Sequence, residues 1–246
     1  MKRVVDLVTS ICGLVVLSPL LALISLAIWA QDRKNPFYTA PRMGKGNSGF
    51  RMIKFRSMVH NADKTGVDST GNNDARITGL GSFLRRFKID ELPQLINVLR
   101  GEMSLVGPRP NVEREVRLYS SEEMHLLDVR PGITDIASIV FADEGDILED
   151  KGDPDIAYNQ LIRPGKSSLG LFYVRNQSIF VDMKILALTV RNSLDRQKAL
   201  SGVAVLLKSL NAPIDLVTMS TREQPLVPSP PPGMTEIVTS RDEPPQ

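Results

Sequence analysis

The feature that most constrains how this chain folds is an uncharged stretch near its beginning, Leu7 to Ala30 (LVTSICGLVVLSPLLALISLAIWA). As a helix, its 24 residues would rise about 36 Å, enough to cross a hydrocarbon core about 30 Å thick. A signal peptide would have a shorter apolar region followed by a small-x-small cleavage site. Here the stretch ends in Ile28-Trp29-Ala30, so we expect it to be retained as a membrane segment.

Basic residues lie on both sides of this stretch. Lys2 and Arg3 precede it, and a single acid, Asp32, follows it together with seven basic residues: Arg33, Lys34, Arg42, Lys45, Arg51, Lys54 and Arg56. Positive charge beside a membrane segment favours the cytoplasmic side, so both ends are expected in the cytoplasm.

The pair Ser18-Pro19 lies at the midpoint of the stretch. Proline removes a backbone donor, and the serine hydroxyl can bond back to the preceding turn, so the pair can bend a helix. We therefore expect a re-entrant helix-break-helix over residues 1–32, with membrane lipids around it. A kinked helix that crosses the membrane once is the alternative.

The rest of the chain predicts a small α+β fold that is mostly helical with short strands. Residues 36–60 contain a Gly-rich turn and a short basic strand, FRMIKFRSM, and the polar residues 61–78 predict a loop. Helical periodicity returns at 79–100 and is expected again at 111–129 and 179–210.

The last part of the chain has a different composition. Seven of the last 22 residues are proline, and such a segment buries too little apolar surface to fold. We expect a helical extension at 193–210 and a disordered Pro-rich tail at 211–246. Truncation after Leu210 is then expected to leave activity within a few-fold.

Cysteine, histidine and charge exclude several classes of site. The one cysteine, Cys12, cannot form an internal disulfide or a Cys-rich zinc site. The two histidines, His60 and His125, argue against a His-based metal centre. The formal net charge of +2 does not favour a nucleic-acid partner, and we expect none.

Asp90 and Glu91 are adjacent carboxylates at the predicted start of a helix, DELPQLINVL. The positive end of a helix stabilises carboxylates and can also bind phosphate, but the usual explanation for such a pair is a helix cap. Arg85 lies upstream, and Arg109 lies downstream between two prolines. Basic residues that converge on paired carboxylates favour Mg²⁺ with a phosphorylated substrate.

Four motifs carry a family resemblance: KFRSM (54–58), DARITGLGSFLRR (74–86), IDELPQLINVLRGEMSLVGPRP (89–110) and RPGIT (130–134). They resemble the bacterial sugar transferase family, the monotopic phosphoglycosyl transferases that start membrane glycan assembly. The resemblance covers roughly residues 1–192. It implies that residues 33–192 form a membrane-associated catalytic domain on the cytoplasmic face of the bacterial inner membrane.

The resemblance also implies a reaction. Family members transfer a phosphosugar from a UDP-sugar to polyprenol (undecaprenyl) phosphate and release UMP, with Mg²⁺ as cofactor. The product starts a surface glycan, which is a polysaccharide, the O-antigen of a lipopolysaccharide or a glycoprotein glycan. The alternatives are a membrane-anchored scaffold without activity and another phosphoryl-transfer enzyme that acts on polyprenyl phosphate.

The resemblance assigns roles to five residues. Asp90 matches the nucleophile that forms a covalent phosphosugar intermediate and sits close to the Mg²⁺. Glu91 matches the second carboxylate, which assists metal binding or deprotonates the acceptor. Arg85 and Arg109 match phosphate-contacting arginines, and Lys54 matches the basic residue of the KFR motif, with a lipid-facing surface as the alternative for that lysine.

One segment departs from the family pattern. Many members follow PGIT with glycine and a segment resembling AQVNGR, whereas this chain continues with Asp135 and IASIVFADEGDILED. The acids Asp143, Glu144 and Asp146 in this segment do not have the spacing of a calcium loop, so we expect a solvated surface.

Overall fold

The computed structural model describes residues 1–62, 74–149 and 151–240, and it confirms a mostly helical fold. The helices are α1 (Lys2–Asp32), α2 (Gly79–Arg86), α3 (Gln94–Arg100), α4 (Glu113–Arg117), α5 (Ile136–Val140), α6 (Glu144–Leu148), α7 (Pro154–Leu161), α8 (Arg163–Asn176), α9 (Ile179–Leu194), α10 (Arg196–Ser209) and α11 (Ile214–Thr221). The strands are β1 (Phe37–Met43), β2 (Gly49–Phe55), β3 (Ser104–Val106) and β4 (Gly132–Thr134). Most of the loop predicted at 61–78 lies outside the described residues.

Helix α1 contains the uncharged stretch and is helical from end to end, with Pro19 inside it. The hydroxyl of Ser18 donates to the carbonyl oxygen of Val15 at 2.8 Å, as the sequence predicted. Among the described residues, this is the one helix long and apolar enough to cross a membrane. One stripe of the helix packs on the rest of the protein and the opposite apolar face is exposed; the stripe includes Asp6, Ser10, Leu14, Leu17, Leu21, Ile24 and Ile28.

Both ends of α1 bind the same folded unit. At the beginning, the ammonium of Lys2 lies 2.5 Å from the carboxylate of Asp182 and 3.0 Å from the hydroxyl of Tyr173. At the end, Asp32 accepts two hydrogen bonds from Arg56, at 2.5 and 2.7 Å. The two ends of the apolar helix are therefore held on one unit.

Strands β1 and β2 form an antiparallel hairpin in which Tyr38 is paired with Lys54. The sequence predicted only the second strand, because Pro41 interrupts the first. Proline is tolerated here because the sheet has only two strands, so one side of β1 needs no ladder partner.

Helices α5, α8, α9, α10 and α11 surround the main core. Its fully buried members include Ile139, Leu169, Ile185, Val203 and Leu207. The helical stretch expected at 179–210 is interrupted at Asp195, whose carboxylate caps α10 by accepting from the amide of Lys198.

The helix expected at 111–129 is replaced by α4 and a short 3-10 turn, Glu123–Asp128. Ser120 separates them, because its hydroxyl accepts from the Glu123 amide while the Glu123 carboxylate accepts from the Ser120 amide. This reciprocal capping starts a new turn.

The tail is not disordered over its described part, so the prediction for residues 211–240 is wrong. Leu216 and Val217 of α11 are buried, and Val238 is fully buried beside Gln160, whose amide donates to its carbonyl oxygen at 2.7 Å. The tail holds short apolar pairs between its prolines, and these pack individually. An average over the composition does not detect them.

Candidate active site

Four of the predicted site residues line one open cavity of about 1070 Å³. They are Lys54, Arg85, Glu91 and Arg109. The volume is slightly above the range of about 300–1,000 Å³ that is typical of small-molecule sites. The cavity is therefore large enough for a small-molecule substrate.

Asp90 and Glu91 lie in a short 3-10 turn, Ile89–Glu91, rather than in the first turn of a helix. Helix α3 begins later, at Gln94, and Pro93 precedes it without a side-chain cap. The predicted helix start at Asp90 is therefore wrong. Because neither carboxylate caps α3, the ordinary capping explanation for the pair also fails.

Glu91 is the centre of a buried ion cluster. Its Oε1 atom lies 2.9 Å from Nζ of Lys54 and 2.7 Å from Nη2 of Arg109. Burial acts to raise the pKa of Glu91, but Arg109 and Lys54 together outweigh it and hold that pKa well below its usual range. Glu91 is therefore an ionised group that holds two cations together.

Asp90 has a different environment. It is 7% exposed, and no described residue forms a hydrogen bond with its carboxylate. Burial raises its pKa, Lys54 opposes that rise and Glu91 adds to it. Asp90 is not among the residues that line the cavity, whereas Lys88 and Glu91 on either side of it are. Asp90 is thus a buried carboxylate next to the cavity wall, and its oxygens accept no hydrogen bond from the part of the chain that the structure describes.

Asn97 places Lys54 beside Glu91. The fully buried Asn97 side chain on α3 accepts from the amide of Ile53 at 2.9 Å and donates to the carbonyl oxygen of Arg51 at 2.8 Å. Strand β2 is thereby tied to the helix that follows the carboxylates. This asparagine was not predicted as a site residue, although it lies within the longest motif.

Two glycines fix the turn that carries Arg109. Strands β3 and β4 pair in parallel, and a Cβ on Gly132 would lie 2.1 Å from the amide nitrogen of Gly107. The amide of Gly132 donates to the carbonyl oxygen of Pro108 at 3.0 Å. The two backbones can approach this closely only because both positions are glycine. The turn is therefore fixed, and it holds the guanidinium of Arg109 in place.

The two basic residues of the KFR motif have different roles. Lys54 lines the cavity, but Arg56 pairs with Asp32 at the end of α1. Arg85 lines the cavity from the last turn of α2, a helix capped by Thr78, which accepts from the Gly81 amide.

The cavity is strongly cationic. Among the described residues, three carboxylates line it, Glu91, Glu115 and Glu144, against eight basic side chains: Arg42, Lys54, Arg85, Arg86, Lys88, Arg109, Lys166 and Arg196. Lys88 was detectable from the sequence because it adjoins the carboxylate motif. Lys166 and Arg196 carried no local signal. Such a cavity favours a substrate with several negative charges.

Two of the three acids expected on a solvated surface are not there. Glu144 lines the cavity and forms an ion pair with Lys166. Asp143 is partly buried and lies 2.9 Å from Arg196. Asp146 is exposed, as predicted. The prediction for Asp143 and Glu144 is wrong, because their partners lie far along the chain.

The described residues contain no group of three Asp, Glu, His or Cys side chains that could hold a metal ion. Mg²⁺ commonly binds one or two carboxylates and takes its other ligands from water and substrate phosphates. The carboxylate of Asp90, which no described side chain binds, fits that kind of site, whereas Glu91 already binds two cations.

Comparison with known proteins gives a family match and several relatives. The profile of the bacterial sugar transferase family matches residues 1–196. An undecaprenyl-phosphate glucose phosphotransferase of Komagataeibacter xylinus is 38% identical over 205 residues, which is 80% of this chain and 36% of that protein. An exopolysaccharide production protein, ExoY, of Sinorhizobium fredii is 34% identical over 204 residues, which is 77% of this chain and 83% of that protein.

A third relative is a UDP-N-acetylgalactosamine-undecaprenyl-phosphate N-acetylgalactosaminephosphotransferase of Aeromonas hydrophila. It is 33% identical over 202 residues, which is 78% of this chain and 43% of that protein. The chain thus spans less than half of the first and third relatives and most of the second. Since the family profile covers the apolar helix α1, the carboxylate motif and the residues that line the cationic cavity, this chain belongs to the bacterial sugar transferase family.

Proposed function

We propose that this protein transfers a phosphosugar from a UDP-sugar to a polyprenol phosphate, with release of UMP, as the first membrane step of surface glycan assembly. The observation that carries the proposal is Asp90, a buried carboxylate that accepts no hydrogen bond from the described residues and lies next to the Glu91 ion cluster in the wall of a cationic cavity. The names of two relatives state that they act with undecaprenyl phosphate, which supports this acceptor.

The reaction has two displacements at the same phosphorus atom. In the first, a carboxylate oxygen of Asp90 bonds to the β-phosphorus of the UDP-sugar, and the bond from that phosphorus to the oxygen bridging to the α-phosphate breaks, so UMP leaves. In the second, a phosphate oxygen of the acceptor bonds to the phosphosugar, and the bond to Asp90 breaks. Such a covalent route predicts ping-pong kinetics.

Glu91 acts in this scheme by holding cations rather than by moving a proton. Its pKa is held well below the usual range by Arg109 and Lys54 against the effect of burial, so it is a poor base near neutral pH. The acceptor phosphate is already an anion and needs no strong base. Glu91 therefore keeps Lys54 and Arg109 directed at the donor phosphates.

Mg²⁺ is the proposed cofactor, and Asp90 is the residue that would hold it, together with oxygens of the donor diphosphate. When bound, the ion would neutralise charge on the diphosphate and on the departing UMP. Arg85 and Arg109 line the same cavity and would contact the remaining phosphate oxygens.

We also propose that α1 enters and leaves the membrane on the cytoplasmic side of the bacterial inner membrane. Its two ends contact one folded unit through Lys2 and Asp32. If that unit lies on one side of the membrane, a helix that crosses straight through could not keep both contacts. Ile89, next to Asp90, packs on the cluster that contains Ile24 and Ile28 of α1. A lipid-linked acceptor beside α1 would then be close to the nucleophile.

Cysteine labelling tests this topology. The background is Cys12→Ser, and a single cysteine is placed either at position 34 or by insertion between Met1 and Lys2. Both cysteines should be inaccessible to an impermeant reagent added outside intact cells. External labelling near Lys2 would favour the single crossing instead.

Intact-protein mass spectrometry tests the chemistry. Purified protein incubated with UDP-sugar and Mg²⁺ but no acceptor should gain the mass of one phosphosugar, and Asp90→Asn should gain none. The matched control is Asp215→Asn, which removes an exposed carboxylate on α11 and should form the adduct normally. An adduct that persists in Asp90→Asn would refute the nucleophile. A wild-type protein that releases UMP from no UDP-sugar in the presence of polyprenol phosphate would favour the scaffold.

A further inference from the structure

The C-terminal extension lies beyond residue 196, where the family match ends, and it is folded onto the domain. Helix α10 packs on α9 and α5, and α11 packs on α10 and α8. Val203 and Leu207 of α10 are fully buried. The chain therefore carries a structured element beyond the family match.

Arg222 ends α11 and reaches from the extension to Asp143. Its Nη2 atom donates to Asp143 Oδ2 at 3.1 Å, and the other oxygen of that carboxylate lies 2.9 Å from Arg196. Burial acts to raise the pKa of Asp143, but the two arginines lower it. The Arg222 side chain is 12% exposed, so this contact is mostly shielded from solvent.

Arg222 also covers the ring of Phe141, with its guanidinium carbon 5.3 Å from the ring centroid. On another side, the ring packs on Gly165 of α8, where an added Cβ would lie 2.5 Å from a ring carbon. Phe141 therefore rests between α8 and the extension, next to the anchored carboxylate of Asp143.

The segment held in this way is a wall of the cationic cavity. Phe141, Ala142, Glu144 and Gly145 all line that cavity, which Glu91 and Arg109 also line. The segment belongs to the part of the chain that departs from the common family pattern. A contact from beyond the family match thus supports a wall of the cavity.

We propose that Arg222 is a positioning residue that holds the segment 141–145 in place, and that this wall sets the affinity and selectivity for the donor sugar nucleotide. The second half of the proposal rests on the proposed function. Arg222 does not touch the reacting atoms, so its loss should affect donor binding and leave formation of the aspartyl adduct at saturating donor nearly unchanged.

The test compares Arg222→Met with Arg222→Lys and with a matched control, Lys208→Met, which changes an exposed lysine of α10. The donor KM of Arg222→Met should rise about tenfold, equivalent to about 1.4 kcal/mol, with a smaller change in kcat. Arg222→Lys should recover part of the loss because its ammonium can still reach Asp143. Lys208→Met should keep the wild-type KM and the wild-type order of preference among UDP-sugars.

Hydrogen exchange provides a readout that does not depend on activity. Peptides that cover residues 141–145 should exchange faster in Arg222→Met than in wild type or Lys208→Met. Asp143→Asn should speed this exchange at least as much, because it weakens the pair with Arg196 as well. Combining it with Arg222→Met should add less than the sum of the two effects, since both variants lose the contact between Arg222 and Asp143. If Arg222→Met does not fold, Arg222→Lys and Asp143→Asn, compared with Lys208→Met, still show whether this contact slows exchange over residues 141–145.

The outcomes separate the two proposals. Unchanged exchange over 141–145 in a folded variant would overturn the positioning role of Arg222. Faster exchange with an unchanged donor KM and selectivity would overturn the link to the donor. A wild-type protein without UMP release would refute the proposed function, while the exchange measurement would still decide whether Arg222 holds the wall.

Discussion

Replacing Lys54 by methionine is the most direct test of the ion cluster, because it removes the ammonium and keeps most of the stem. Nζ of Lys54 lies 2.9 Å from Oε1 of Glu91, and the two side chains are 17% and 11% exposed. Breaking a buried pair on one side typically costs about 3–5 kcal/mol.

Two effects reduce that cost here. Arg109 still binds Glu91 at 2.7 Å in the variant. Burial of Lys54 lowers its pKa, which shows that its charge is costly to bury, and that cost disappears with the charge. We therefore expect Lys54→Met to lower the free energy of unfolding by about 1–3 kcal/mol.

The pH dependence of stability should also change in Lys54→Met. Because the folded-state pKa of Glu91 is held well below its usual range, Glu91 stabilises the protein above its unfolded-state pKa of about 4.3 and loses this effect as the pH falls through the folded-state pKa. In Lys54→Met the pKa of Glu91 should rise towards its usual value. The loss of stability on acidification should therefore become smaller than in wild type.

The measurements are unfolding in detergent micelles followed by circular dichroism, and the initial rate of UMP release. Loss of a cation from the phosphate site should slow the rate about 10- to 100-fold, at 1.36 kcal/mol for each factor of ten. Arg56→Met is the matched control, since Arg56 lies two residues away but pairs with Asp32 outside the cavity. Arg56→Met can also lower stability, because it loses the pair with Asp32, so the control is its rate. Wild-type stability and rate in Lys54→Met, or an equal loss of rate in Arg56→Met, would refute this account of the cluster.

Three further predictions concern the frame of the site. Gly132→Ala should destabilise the protein by about 1–3 kcal/mol in thermal unfolding, because its Cβ would lie 2.1 Å from Gly107. Gly152→Ala, which has no described neighbour within 4 Å, should not. Asn97→Ala should lower the free energy of unfolding by about 2–4 kcal/mol, because it leaves buried backbone groups of β2 without partners. An unchanged free energy would contradict the role of Asn97 in tying β2 to α3. Truncation after Leu210 should lower the melting temperature and raise the donor KM, contrary to the expectation from composition, and wild-type values would restore that expectation.

Much of the local structure was determined by the sequence alone. In an apolar environment, a long uncharged stretch satisfies its backbone hydrogen bonds mainly by forming a helix, and α1 is that helix. The Ser18 bond to the preceding turn and strand β2 also follow from residues close together in the chain. Lys54, Arg85, Glu91 and Arg109 could be named in advance because each lies in a contiguous motif.

The tertiary structure decided what each charged residue binds. Local patterns predict Asp143 and Glu144 as solvated, yet their partners are Arg196, Arg222 and Lys166, which neighbouring helices bring to them from distant parts of the chain. The tail is a second example, because its few apolar side chains between prolines pack on a surface that the rest of the chain forms. Backbone propensity and charge spacing act over a few residues, whereas ion pairing and burial depend on which surfaces the whole chain brings into contact.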